Sequence, residues 1–150
     1  PAAGFARAPI ETRLEMLNKR ITDMARLGPQ GVARERSHLL VAPGSPREIV
    51  DAAAALVAST RPEGYSQAAH GIDMADTVGV AAKIDKPTLV LIGTEDKITP
   101  ADTGAKLIHA NLKNGRLEVL KGIGHLIKLE APDRFNALVS DFVAGLPPSG

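Results

Sequence analysis

Asp96 and His125 are the residues of this chain whose types and surroundings could do chemistry. Each follows an apolar run. Thr88 to Ile92 leads through Gly93 to Asp96, and Leu117 to Leu120 leads through Gly122 and Gly124 to His125. An acid and a histidine at the carboxyl ends of two neighbouring strands can be brought within hydrogen-bond reach. Such a pair is the acid and base of a nucleophilic triad. Glu95 is adjacent to Asp96 and could point inward from the same loop. The third member is absent from the sequence, since no G-x-S-x-G occurs. The serines Ser37, Ser45, Ser59, Ser66, Ser140 and Ser149 have simpler roles. Ser45, in Pro-Gly-Ser-Pro, lacks the preceding strand that a nucleophile elbow needs, and reads as a helix cap.

The elements that must position the pair follow from periodicity. Thr88–Ile92 is a continuous apolar run, as in a parallel strand covered on both faces. Thr99-Pro100-x-Asp102 is expected to open a helix carrying Leu107, Ile108 and Leu112, ended by Asn114-Gly115. Leu117 to Leu120 is the second strand. Pro132-Asp133 opens a last helix, with Phe135, Leu138, Val139, Phe142 and Val143 on its buried side, stopped by Gly145 and Pro147-Pro148. Strand, helix, strand, helix implies a parallel pair joined by a crossover. Two strands alone leave apolar faces and open edges, so partners are expected.

The preceding residues read as helices. Ile10, Leu14, Leu17, Ile21, Met24 and Leu27 recur at steps of three and four, between Pro9 and Gly28-Pro29. A short helix is expected from Val32 to about Leu40. Ser45-Pro46 opens another, with Ile49, Val50, Ala53, Leu56 and Val57 on one side. Arg61-Pro62-Glu63-Gly64 is expected to break it, before a helix over Tyr65 to Met74.

Composition narrows the function. The 150 residues suffice for one core. Basic and acidic residues nearly cancel, 18 against 17, and aromatics are few, so no nucleic-acid surface is indicated. Cysteine is absent, which rules out disulfides and thiol chemistry in this sequence and fits a reducing, cytoplasmic setting. No apolar run approaches the roughly 20 residues that cross a bilayer, so no membrane partner is expected. His38, His70 and His109 stand at no metal-ligand spacing, so no metal is expected. His109 reads as a helix-surface residue. His70 could touch a substrate, and Arg7, Arg13, Arg34 and Arg36 could meet an anionic one.

Several separate elements together resemble a known family. Lys86-Pro87-Thr88, Gly93-x-x-Asp96 with Pro100, Gly124-His125, and Glu130-x-Pro132-x-x-Phe135 with Phe142 are similar to the C-terminal half of the α/β-hydrolases, over about residues 84–145. Arg61-Pro62-Glu63-Gly64-Tyr65 looks most like the esterase and lactonase branch that includes 3-oxoadipate enol-lactonases. The resemblance implies an α/β fold: the C-terminal lobe of an α/β-hydrolase sheet, two parallel strands with flanking helices, preceded by a helical cap. It divides the chain into a cap over 1–77 and core over 78–150. It favours Asp96 over Glu95 as the acid and makes His125 the general base. It also implies a partner, an N-terminal segment or chain carrying the serine and oxyanion hole, with Pro1 a processed or cleaved end. The expected reaction is hydrolysis of a carboxylic ester or lactone, and the resemblance implies no cofactor. Carbon–carbon bond hydrolysis by the same triad, or a non-catalytic binding module, are the alternatives.

Overall fold

The computed structural model describes residues 7–147. The expectations on Pro1, Pro148 and Ser149 lie outside them. The helical part holds α1 (Ile10–Arg36), α2 (Arg47–Ala58), α3 (Pro62–Met74) and α4 (Thr77–Ala81). The part that follows alternates β1 (Thr88–Gly93), α5 (Ala105–Asn111), β2 (Gly115–Leu120), α6 (Ile127–Glu130) and α7 (Pro132–Ala144). The strands are parallel, paired from Thr88 with Gly115 through Gly93 with Leu120. That in-register pairing brings the loops after Gly93 and after Leu120 side by side, as the sequence led us to expect.

The apolar stripe of α1 is only partly used. Leu17 and Met24 are buried, whereas Ile10 and Leu14 are exposed. Gly28-Pro29 kinks this helix instead of ending it. Gly28 sits at φ 63°, a backbone setting that glycine takes without steric cost, and helix resumes to Arg36. The helix expected from Val32 is therefore the far limb of α1, followed by a 3-10 turn at Ser37–Leu39. α1 packs on α2 and α3. Two part-buried ion pairs hold this helix: Arg13 grips Asp73 of α3 with two nitrogens at 3.0 and 2.9 Å, and Arg36 bonds Asp23 across the kink within α1.

Four helix readings need correction. Ser45 does not cap α2: the helix begins at Arg47, and the Ser45 hydroxyl turns to Glu130 at 3.3 Å. A long-range carboxylate has taken the hydroxyl that local sequence assigned to the helix. Arg61-Pro62 starts α3 rather than merely breaking α2. Proline at the first helical position has φ preset and no N–H to leave unbonded, and Tyr65 N donates to Arg61 O at 2.9 Å. α5 starts at Ala105, not near Thr99, because Thr99 is drawn to Asp96. Leu56 and Val143, expected inside, are both 58% exposed. Two short helices, α4 and α6, were not anticipated. α4 is capped by Asp76, which accepts from Gly79 N at 3.0 Å and from two nitrogens of Arg7.

Candidate active site

Asp96 sits in the tight turn after β1, where its carboxylate accepts four donors. Oδ1 takes the N–H groups of Ile98 at 2.9 Å and Thr99 at 2.8 Å. Oδ2 takes the Thr99 hydroxyl at 2.8 Å and His125 Nδ1 at 2.9 Å. An ionised carboxylate offers about four acceptor sites, so this group is saturated. Burial alone pushes the Asp96 carboxyl up. The Thr99 N–H, the His125 ring and the Thr99 hydroxyl outweigh it and hold the pKa below the ordinary value of 3.8. Asp96 is therefore a carboxylate at neutral pH, and a carboxylate only accepts. In the neutral form of the His125 ring, the hydrogen-bond network accordingly assigns the proton to Nδ1, with the lone pair on Nε2.

His125 reaches this position by a loop tied on two sides. Gly122 N donates to Thr94 Oγ1 at 2.9 Å, and Glu95 N donates to Ile123 O at 2.9 Å. These bonds hold the loop after β2 to the loop after β1. On the other side, His125 N and Leu126 N both donate to Leu40 O at 3.1 Å. That carbonyl belongs to the segment between α1 and α2. The two side chains differ in access: Asp96 is 3% exposed and His125 33%. The acid is sealed while the ring can be reached.

Both residues line a cavity of about 330 Å³ with Thr99, Ile92, Ile108 and Ile72. Its walls are largely aliphatic, which lowers the local dielectric and strengthens charge interactions at the ring. A larger cavity of about 700 Å³ lies among Met16, Arg20, Leu39, Tyr65 and Ile98, and neither Asp96 nor His125 lines it. Size alone would therefore point away from the acid–imidazole pair.

The other candidate residues are not brought to the pair. Glu95 takes the Thr94 hydroxyl at 3.3 Å and makes no bond to His125. His70 and His38 are exposed. His109 is half-buried, and its Nε2 lies 3.2 Å from Gly115 O, so it is not simply a surface residue. Arg7, Arg13 and Arg36 are engaged by Asp76, Asp73 and Asp23, and Arg34 is exposed. Of the described serines, Ser45 bonds Glu130 and Ser59 bonds Leu56 O, and none bonds His125. Among the described residues no three His, Asp or Glu side chains gather as a metal site, and no helix is long and apolar enough to cross a membrane. Three contributors escaped sequence reasoning: the Thr99 hydroxyl, the Leu40 carbonyl and the Glu130 carboxylate. Thr99 carried a signal, since a hydroxyl three residues after an Asp commonly shares its turn.

No protein-family model matches the chain. Among curated proteins it is similar to the pimeloyl-acyl-carrier-protein methyl ester esterase of Neisseria meningitidis, 36% identical over 91 residues, 59% of this chain and 29% of that protein. It is also similar to the 2-hydroxy-6-oxononadienedioate/2-hydroxy-6-oxononatrienedioate hydrolase of Paraburkholderia xenovorans, 36% identical over 62 residues, 41% of this chain and 21% of that one. Among solved structures, a thermophilic esterase from Thermogutta terrifontis superposes with a TM-score of 0.81 at 22% identity, over 96% of this chain and 53% of the other. The enol-lactonase from Burkholderia xenovorans LB400 gives 0.75 at 21%, over 87% and 50%. The chain thus spans less than a third of those curated relatives and about half of those solved chains. The relatives and neighbours are α/β-hydrolases, and the described residues have the fold of a partial α/β-hydrolase lobe, in keeping with the resemblance read from the sequence.

Proposed function

We propose that this chain supplies the acid and the base of a hydrolase whose serine nucleophile and oxyanion hole lie on a further segment or a separate chain. The observation that carries the reading is the 2.9 Å contact between Asp96 Oδ2 and His125 Nδ1, with the ring on a cavity. The open edges of the two-stranded sheet are where the strands bearing that nucleophile would join.

In the assembled site Nε2 of His125 accepts the serine proton as the serine oxygen attacks the acyl carbon. Asp96 remains ionised and stabilises the imidazolium formed, without taking its proton. The imidazolium then protonates the leaving group, and an acyl-enzyme is left. Water, deprotonated by the same nitrogen, attacks the acyl carbon and releases the acid. Residues 1–77 act as a cap: Ile72 lines the same cavity as His125, and Leu40 holds the histidine loop. Excluding water there strengthens the electrostatic help that oxyanion donors give.

Carboxylic esters or lactones are the substrates we favour. An ester esterase among the relatives and an esterase and an enol-lactonase among the structural neighbours support this class. Carbon–carbon bond hydrolysis is the second reading, favoured by the oxononadienedioate hydrolase relative.

The test is complementation. The 150-residue chain is assayed alone and together with a segment bearing the remaining strands and a G-x-S-x-G elbow, against ester, lactone and vinylogous diketone panels. Hydrolysis only in the combined preparation is expected. Turnover of the diketones alone would select the carbon–carbon reading. No turnover of any panel would remove the hydrolase proposal and favour a binding module.

A further inference from the structure

We infer that Glu130 is a positioning residue for His125, acting through the backbone that carries the ring. This rests on the hydrolase reading for its kinetic consequence, though not for its geometry. Glu130 ends α6, five residues beyond the histidine. Its carboxylate gathers donors from two parts of the molecule. Gly124 N, immediately before His125, donates to Oε1 at 3.0 Å and lies 3.1 Å from Oε2. Ala42 N donates to Oε2 at 2.8 Å, and the Ser45 hydroxyl at 3.3 Å. Ala42 is two residues beyond Leu40, whose carbonyl takes the N–H groups of His125 and Leu126. The histidine loop and the Leu40–Ser45 segment are therefore clasped at both levels, by a shared carbonyl and by a shared carboxylate.

The chemistry of the clasp calls for an acid. All its partners are donors, so a group with acceptors only satisfies every one. Gly124 and Ala42 are buried, and a buried N–H without a partner is costly. Glutamine would keep one acceptor but set an NH₂ group against one of the donors. Alanine would leave both N–H groups without the carboxylate, and the loop would shift to recover them.

Glu130 does not touch the reacting atoms. It lines a separate hollow of about 210 Å³ with Ser45, Ile49 and Ile123, and not the cavity that His125 and Asp96 line. Its influence passes through Gly124 to the adjoining ring. A displacement of about 1 Å in a reacting group can reduce a rate by about a hundredfold. Loosening the clasp should thus lower turnover without weakening substrate binding.

The experiment compares Glu130→Gln and Glu130→Ala with the unaltered chain. In the combined preparation, kcat and KM are measured per folded molecule, with folding followed by denaturant titration. In the 150-residue chain, the tautomer of His125 is read from its ring nitrogen resonances. Glu130→Ala should lower kcat by about 10- to 100-fold with KM within about twofold, and should mix the tautomers; Glu130→Gln should fall between. A residue that only stabilised the fold would lower the denaturation midpoint and leave kcat and tautomer unchanged, which would overturn the inference. If the alanine variant does not fold, the glutamine variant decides by the same readouts. If the unaltered preparation hydrolyses nothing, the hydrolase reading falls and the tautomer alone decides the role of Glu130.

Discussion

Thr99 Oγ1 donates at 2.8 Å to Asp96 Oδ2, the same oxygen that takes Nδ1 of His125 at 2.9 Å. The threonine thus fixes which way the carboxylate faces, while its own N–H at 2.8 Å holds the other oxygen. Two donors from one residue leave Oδ2 aimed at the ring.

Thr99→Val should remove one hydrogen bond to a charged acceptor while keeping size and backbone. A loss of about 1.5–3 kcal/mol in unfolding free energy is expected. Thr99→Ser keeps the hydroxyl and should lose less. Urea titration of the two variants checks the order; equal midpoints would show that the hydroxyl contributes nothing.

Acid should weaken the fold through Asp96. Its folded pKa lies below the ordinary 3.8, so the folded state binds fewer protons than the unfolded chain in that range. The stabilisation is complete above the unfolded value and is lost as pH falls through the folded one. Asp23 and Asp76 are displaced the same way. At Asp23 burial opposes the shift and the bond from Lys19 leads those that outweigh it. At Asp76 the bond from Arg7 leads. Asp96→Asn should therefore flatten part, not all, of the loss in melting temperature below about pH 4. An unchanged slope would remove Asp96 from the explanation.

Gly124→Ala should strain the contact that brings the helical segment to the histidine loop. A Cβ there would lie 2.5 Å from Ala42 N and 2.6 Å from the Val41 carbonyl carbon, both backbone atoms. Destabilisation of at least about 1–3 kcal/mol is expected. Amide exchange should quicken at Ala42, His125 and Leu126 together. Faster exchange confined to Gly122 and Ile123 would mean the two segments do not move as one.

The parts of this site legible in the sequence are those encoded locally. The Thr88–Ile92 run and the Leu117–Leu120 run each specify a strand by pattern, and glycines after each strand leave room for the turns that follow. The Asp96–His125 contact was legible because each residue follows its own strand. The clasp of Glu130 on Ala42 and Ser45 was not, because those partners lie 88 and 85 residues away, and the Leu40 carbonyl meets the histidine loop across a similar span. Local rules assigned Ser45 to a helix cap, and a distant carboxylate overrode them. Proline at 62 was legible only as punctuation, which marks the start of a helix as readily as its end. The exposed Ile10, Leu14 and Leu56 show the limit of periodicity: it specifies a face, not what covers it.

Kinetics of His125→Ala, Asp96→Asn and Glu95→Gln on one activated ester, in the combined preparation, test the proposed pair most directly. His125→Ala should abolish steady-state turnover, and Asp96→Asn should lower kcat by orders of magnitude, about 10⁴-fold in the best-studied triad. Glu95→Gln should change it by less than about threefold, since the Glu95 carboxylate takes the Thr94 hydroxyl and not His125. Full turnover with His125→Ala, or a larger loss with Glu95→Gln than with Asp96→Asn, would contradict the assignment of acid and base.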